Sequence, residues 1–150
     1  MDVKSLHDML DAFVTRKISV PSHYQVLRLP LIDEWEAGRV RSSFEVDPDL
    51  KQPAGSLFGG YLSAVADELM GLAAVTVLDG ESVPSTSDLR IQYFRPLVGG
   101  KVTVEASVYN RSRSSIHVEA SFLNHEGKLA AKAWSVQTLI RIGAKDSPKA

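Results

Sequence analysis

Gly59-Gly60-Tyr61-Leu62-Ser63-Ala64-Val65-Ala66-Asp67-Glu68-Leu69-Met70-Gly71-Leu72-Ala73-Ala74 is the stretch that decides the architecture of this chain. Leu62, Val65, Leu69, Leu72 and Val75 take up several faces of a helix, and alanines fill others. A helix that is apolar nearly all round is a buried one. The pattern therefore predicts a central helix over about residues 59–79, with Gly80 as a suitable C-terminal cap. One acid interrupts it. Asp67 lies among tiny neighbours, with Gly60, Ser63, Ala64, Gly71 and Ala74 on its own face at spacings of three, four and seven. A carboxylate placed in such surroundings costs free energy unless it is hydrogen-bonded or used in chemistry. The small residues serve either tight packing against a sheet or second subunit, or the wall of an active site. Asp67 in their midst favours the wall.

Downstream of the helix come four strand-like segments, over residues 85–94, 101–109, 115–123 and 129–142. Val102, Val104, Ala106 and Val108 alternate cleanly, as do Ile116, Val118, Ala120 and Phe122, the period of half-buried strands. Asn124-His125-Glu126-Gly127 suits a hairpin turn. Upstream, residues 32–36 and 39–46 can pair around Ala37-Gly38, with Val40, Ser42, Phe44 and Val46 on one face. Residues 47–57 read as a loop and 21–30 as an irregular connection between prolines. Val3, Leu6, Met9, Leu10 and Phe13 space out an amphipathic helix over about 2–16. The tail over 143–150 is polar and expected to fray. One long apolar helix followed by a run of long strands gives an α+β domain in which the sheet must wrap around the helix. It reads as a single domain over 1–150, with its core over about 30–142.

Bulk properties narrow the function. A length of 150 residues fits one domain. The net charge of −1 gives no general attraction to nucleic acid or anionic membrane. There is no cysteine, which removes disulfides and thiolate chemistry. No apolar run has the ~18 residues of a membrane span, and the N-terminus lacks a signal-peptide core. A cytoplasmic location is the expectation.

The helix start at Phe58-Gly59-Gly60 offers unpaired N–H groups that bind anions and could hold an oxyanion. Asp67 stands about 10.5 Å from Gly60 along the axis, at 1.5 Å per residue. That is too far for both to act on one carbonyl within a single chain, and a second subunit would close the gap. His7, His23, His117 and His125 form no triad and no metal-ligand spacing, and His117, between Ile116 and Val118, reads as a surface strand residue. No metal and no cofactor are expected. Arg111 and Arg113, with Arg90, Arg95 and Lys101, form either a solvated rim or a phosphate clamp for a nucleotide-tailed substrate.

The run Pro53-Ala54-Gly55-Ser56-Leu57-Phe58-Gly59-Gly60, followed by Asp67 in the helix, resembles the signature of hotdog-fold acyl-CoA thioesterases of the phenylacetate-pathway type. That signature runs glycine, a hydrophobic residue, His-Gly-Gly, then an acid inside the helix. The likeness continues through 86–96, 100–104 and 126–130. It implies a sheet wrapped around the helix, subunits pairing into a homodimer or homotetramer, and active sites at the interface. It further implies a coenzyme A thioester as substrate, with Asp67 as general base or nucleophile. The amides of Gly59 and Gly60, from the other subunit, would polarise the carbonyl. Gln52 would help hold the carbonyl or water, and Thr86 would position the attacking water. Phe58, Ser63 and the segment Arg113-Ser114-Ser115 would line the substrate channel. Phe58 stands where the family has histidine, and phenylalanine donates no hydrogen bond. The alternative reading is therefore a non-catalytic acyl-CoA binder. A hotdog hydratase acting on enoyl-CoA fits less well, because its Asp and His dyad is missing. The pocket's depth would depend on Tyr61, Met70, Phe94 and Trp134.

Overall fold

The computed structural model describes residues 2–143, so the tail beyond Gly143 lies outside the described residues. Its helices are α1 (Val3–Val14), α2 (Ser22–Leu27) and α3 (Gly59–Val75). Its strands are β1 (Ile32–Glu36), β2 (Arg39–Glu45), β3 (Ser82–Tyr93), β4 (Lys101–Arg111), β5 (Ser115–Leu123) and β6 (Leu129–Arg141). They form one six-stranded sheet in the order β1-β2-β4-β5-β6-β3, and every pairing is antiparallel. The sheet wraps around α3, as the hotdog fold requires.

Alternation puts one row of each strand against the helix. Val102, Val104 and Ala106 of β4, Ile116, Val118, Ala120 and Phe122 of β5, and Ala131 and Ala133 of β6 are buried. From α3 they meet Leu62, Val65, Ala66, Leu69, Met70 and Ala73, all in the same core. The alanines on both sides allow helix and sheet to approach closely. α1 adds Leu6, Leu10 and Phe13 to the core. Its N-cap is Asp2, which accepts from Ser5 N at 2.7 Å.

Three expectations need correction. The central helix ends at Val75, short of Asp79. Thr76 Oγ1 donates to Ala73 O at 2.6 Å and accepts from Gly38 N at 2.7 Å, so a β-branched hydroxyl residue tied to a distant turn stops it. Residues 22–27, read as irregular, form α2, which ends at Arg28 in the left-handed region (φ 53°). And α3 is not buried all round: Gly60 and Asp67 are exposed, and Ser63, Ala64, Glu68 and Gly71 half-buried. Apart from Ala74, which is buried, the small-residue stripe is the side of the helix that the sheet leaves uncovered.

Candidate active site

Asp67 is exposed in the single chain, which corrects the expectation of a buried charge. The apolar neighbours in sequence point into the sheet, while Asp67 points along the open stripe. It is nevertheless held. Thr86 Oγ1 donates to Asp67 Oδ1 at 2.7 Å. The local backbone explains how a residue of β3 reaches the helix. The β3–β6 register shifts between Thr86 and Asp88, so one extra residue lets Thr86 face α3 together with Leu89 and Ile91, despite their opposite parity. Behind Thr86 stands Gln137 of β6, whose Nε2 donates to Thr86 Oγ1 at 3.0 Å and to Ser135 Oγ at 3.0 Å.

The other predicted residues gather elsewhere. Gln52, Phe58, Gly59 and Gly60 line one cleft of about 580 Å³ at the start of α3, together with Phe94 and Leu97. Phe58 provides no side-chain cap. The Gly59 and Gly60 N–H groups find no acceptor among the described residues, so this helix start keeps its partial positive charge available. Gln52 Nε2 donates to Ser56 Oγ at 2.7 Å across the loop. A Cβ at Gly60 would run into the Phe58 ring, and one at Gly59 would stand 3.1 Å from the Tyr93 ring. The two glycines leave room for two aromatic rings to flank the backbone.

Nothing in the sequence singles out Tyr93 as part of this site. Its hydroxyl donates to Gly59 O at 2.7 Å and lies 3.1 Å from Ser63 Oγ. It thereby braces the end of β3 against the start of α3. Arg113 and Ser114 border a second cleft, of about 420 Å³, with Ser82, Leu139 and Arg141. Ser115 instead bonds within its own turn, 3.0 Å from Ser112 Oγ. Of the residues expected to set pocket depth, Phe94 lines the helix-start cleft. Tyr61 and Met70 are core residues. Trp134 is on the opposite face of the sheet, where Arg90 and Lys132 stack on its ring. His117 is half-buried on that outer face, edge-on to Tyr109.

The thioesterase superfamily profile matches residues 54–131, from the loop before α3 into β6. The chain belongs to the thioesterase superfamily. A Saccharolobus solfataricus protein, named provisionally as an esterase, is 34% identical over 98 residues, covering 65% of this chain and 69% of its own. Solved structures share the fold, among them the following two. A thioesterase of Haemophilus influenzae superposes with a TM-score of 0.72 at 24% identity, over 77% of this chain and 81% of that one. A Ralstonia eutropha protein named as a phenylacetic acid degradation-related thioesterase candidate reaches 0.75 at 23% identity, over 86% and 98%. Membership in this superfamily assigns a hydrolase scaffold and makes thioester hydrolysis the chemistry against which the site must be judged. Among the described residues no group of His, Cys, Asp or Glu could hold a metal, and no helix is long and apolar enough to cross a membrane.

Proposed function

We propose that this chain hydrolyses an acyl-CoA thioester to free acid and CoA, at a site completed by a second copy of itself. The observation that carries the reading is the separation of its two halves. A carboxylate fixed by Thr86 stands about 10.5 Å along α3 from two free amides beside an apolar cleft. Neither half suffices for acyl transfer, and one chain cannot bring them together. β3 supplies a route. Among the described residues this 12-residue strand pairs with β6 alone, and a long unpaired edge is a template for another strand. Two β3 edges joined about a two-fold axis would run the α3 helices antiparallel, carrying Asp67 of one copy toward the helix start of the other. Whether dimers pair further into tetramers is a separate matter of the outer sheet face.

In such a site the carbonyl oxygen accepts from the Gly59 or Gly60 amide, with Gln52 at the rim. Asp67 takes a proton from water as its oxygen attacks the carbonyl carbon. The tetrahedral oxyanion is held by the amides, then collapses as the C–S bond breaks and the thiolate leaves and takes up a proton. In the nucleophilic version Asp67 attacks first, and water cleaves the resulting anhydride. The cleft at Arg113, Ser114 and Arg141 offers guanidinium groups for the phosphates of the CoA tail. A cytoplasmic location belongs to the same reading, since the substrate is a CoA thioester. The test is thiol release across an acyl-CoA panel. Asp67→Asn is expected to lose about 10²- to 10⁴-fold, the range of a general base; equal rates in the two proteins would remove Asp67 from the mechanism.

A second reading has one observation in its favour. Phe58 donates no hydrogen bond, and its ring is packed over Gly60, one of the two amide donors. On that reading the protein binds acyl-CoA without cleaving it. Binding without turnover, unchanged in Phe58→His, would select it.

A further inference from the structure

Two polar side chains of β6, Gln137 and Ser135, have no role in the reading above, yet each is only 1% exposed. They occupy the helix-facing row that β6 otherwise fills with Ala131 and Ala133. A buried primary amide is costly unless its donors and acceptor are matched. Here both amide protons are spent, one on Ser135 Oγ and one on Thr86 Oγ1, each at 3.0 Å. Gln137 Oε1 also lies 3.2 Å from Thr86 Oγ1, so the Thr86 hydroxyl has two possible acceptors for its single proton. An ionised carboxylate can only accept, and the shorter contact, 2.7 Å, runs to Asp67. With the Gln137 amide donating into the hydroxyl oxygen, the Thr86 proton is left for Asp67. Donation along this relay thus starts at the Gln137 amide in the core, whose other proton goes to Ser135 Oγ, and passes through Thr86 on the edge strand to the carboxylate at the surface.

We propose that Gln137, braced by Ser135, is a positioning residue that fixes the Thr86 hydroxyl and through it the orientation of Asp67. The inference deepens the hydrolytic reading and rests on it. Among the described residues Gln137 makes no hydrogen bond to Asp67, and its link to the carboxylate runs through Thr86. This separates it from a merely structural buried amide, whose loss would weaken the fold irrespective of what stands at position 86.

The experiment is a double-mutant cycle on acyl-CoA hydrolysis, with kcat and KM measured for wild type, Gln137→Met, Thr86→Val, the double variant and Asp67→Asn. Gln137→Met keeps similar volume and removes the donors. The expected result is a kcat lowered about five- to tenfold, the scale of one hydrogen bond, with KM unchanged. The double variant should be no slower than Thr86→Val alone. Losses that multiply in the double variant overturn the proposal. So does a fully active Gln137→Met beside a disabled Asp67→Asn, which leaves the hydrolytic reading standing. A fully active Asp67→Asn, or a wild type without turnover, sinks the hydrolytic reading itself and the relay's purpose with it. If Gln137→Met does not fold, Ser135→Ala enters the same cycle. It removes only the brace, so its loss should be smaller and should likewise vanish in the Thr86→Val background; a loss that persists there overturns the proposal.

Discussion

The Thr86 hydroxyl, on the outermost strand of the sheet, reaches the Asp67 carboxylate on the central helix at 2.7 Å. This contact ties the two parts that a second subunit would have to meet, the free edge of β3 and the uncovered stripe of α3. Thr86→Ser keeps the hydroxyl and should keep most of the hydrolytic activity. Thr86→Val keeps the β-branched shape that suits a strand but leaves Asp67 without its donor. It should lower kcat about tenfold or more, and the melting temperature should fall as well, because the buried Gln137 amide loses its Thr86 acceptor. Steady-state kinetics and thermal denaturation on the two variants check this; equal kcat values would detach Thr86 from the chemistry.

The amide mouth at the start of α3 makes a second prediction. A methyl group at Gly60 collides with the Phe58 ring, but that ring is 59% exposed and free to swing away. Gly60→Ala should therefore fold and still lose hydrolysis, because the displaced ring and the new methyl group crowd the amides. In the Phe58→Ala background the same substitution should cost less stability, and the helical preference of alanine over glycine, up to about 1 kcal/mol, becomes visible. Urea denaturation of the four proteins measures the coupling. Additive effects would show that ring and glycine are independent.

Much of this was legible in the sequence, and the failures share a cause. Strand positions could be read because alternation fixes which residues face together. It does not say which of the two sets faces inward. Trp134 and Gln137 illustrate the point: the large aromatic, expected in the pocket, is on the outer face, and the polar Gln137 is the buried one. The helix start could be read from Phe58-Gly59-Gly60. Its end could not, because Thr76 is held by Gly38 N, a partner 38 residues away. α2 was missed because a six-residue helix between prolines, with only Tyr24 buried, has no period to detect. Asp67 was found by composition, but composition counts neighbours along the chain and not the direction of a side chain.

The uncovered stripe of α3 can be tested without substrate. Gly71 is on it, and a Cβ there would meet nothing within 4 Å in the single chain. Gly71→Ala should raise the stability of the folded chain by up to about 1 kcal/mol through helix propensity. Gly71→Trp should also fold, but a bulky ring on that stripe would keep a second α3 from approaching. Light scattering coupled to gel filtration is expected to show wild type as a dimer or tetramer and Gly71→Trp as a smaller species with reduced hydrolysis. An unchanged mass with unchanged activity would place the subunit contact elsewhere.

The floor beneath the helix start gives the last prediction, a loss of stability in alkali. Tyr61 is 9% exposed, and its hydroxyl donates to Arg28 O at 2.7 Å. Burial, reinforced by the negative charge of Asp47 and opposed by Arg28, pushes its pKa up to about 12 from 10. Burial and the hydrogen bond to Glu68 push Tyr24 upward as well. A phenol with a raised folded-state pKa holds its proton more tightly in the native protein than in the unfolded chain. The stability this contributes is complete below pH 10 and for Tyr61 drains away as the pH rises from 10 to 12. Midpoints of urea unfolding measured at pH 9, 10, 11 and 12 should therefore fall across that window. Tyr61→Phe, which cannot ionise, should flatten part of the decline, and Tyr24 should account for a remainder that continues to higher pH. A midpoint that falls equally steeply in wild type and Tyr61→Phe would show that the Tyr61 phenol does not resist ionisation in the folded state.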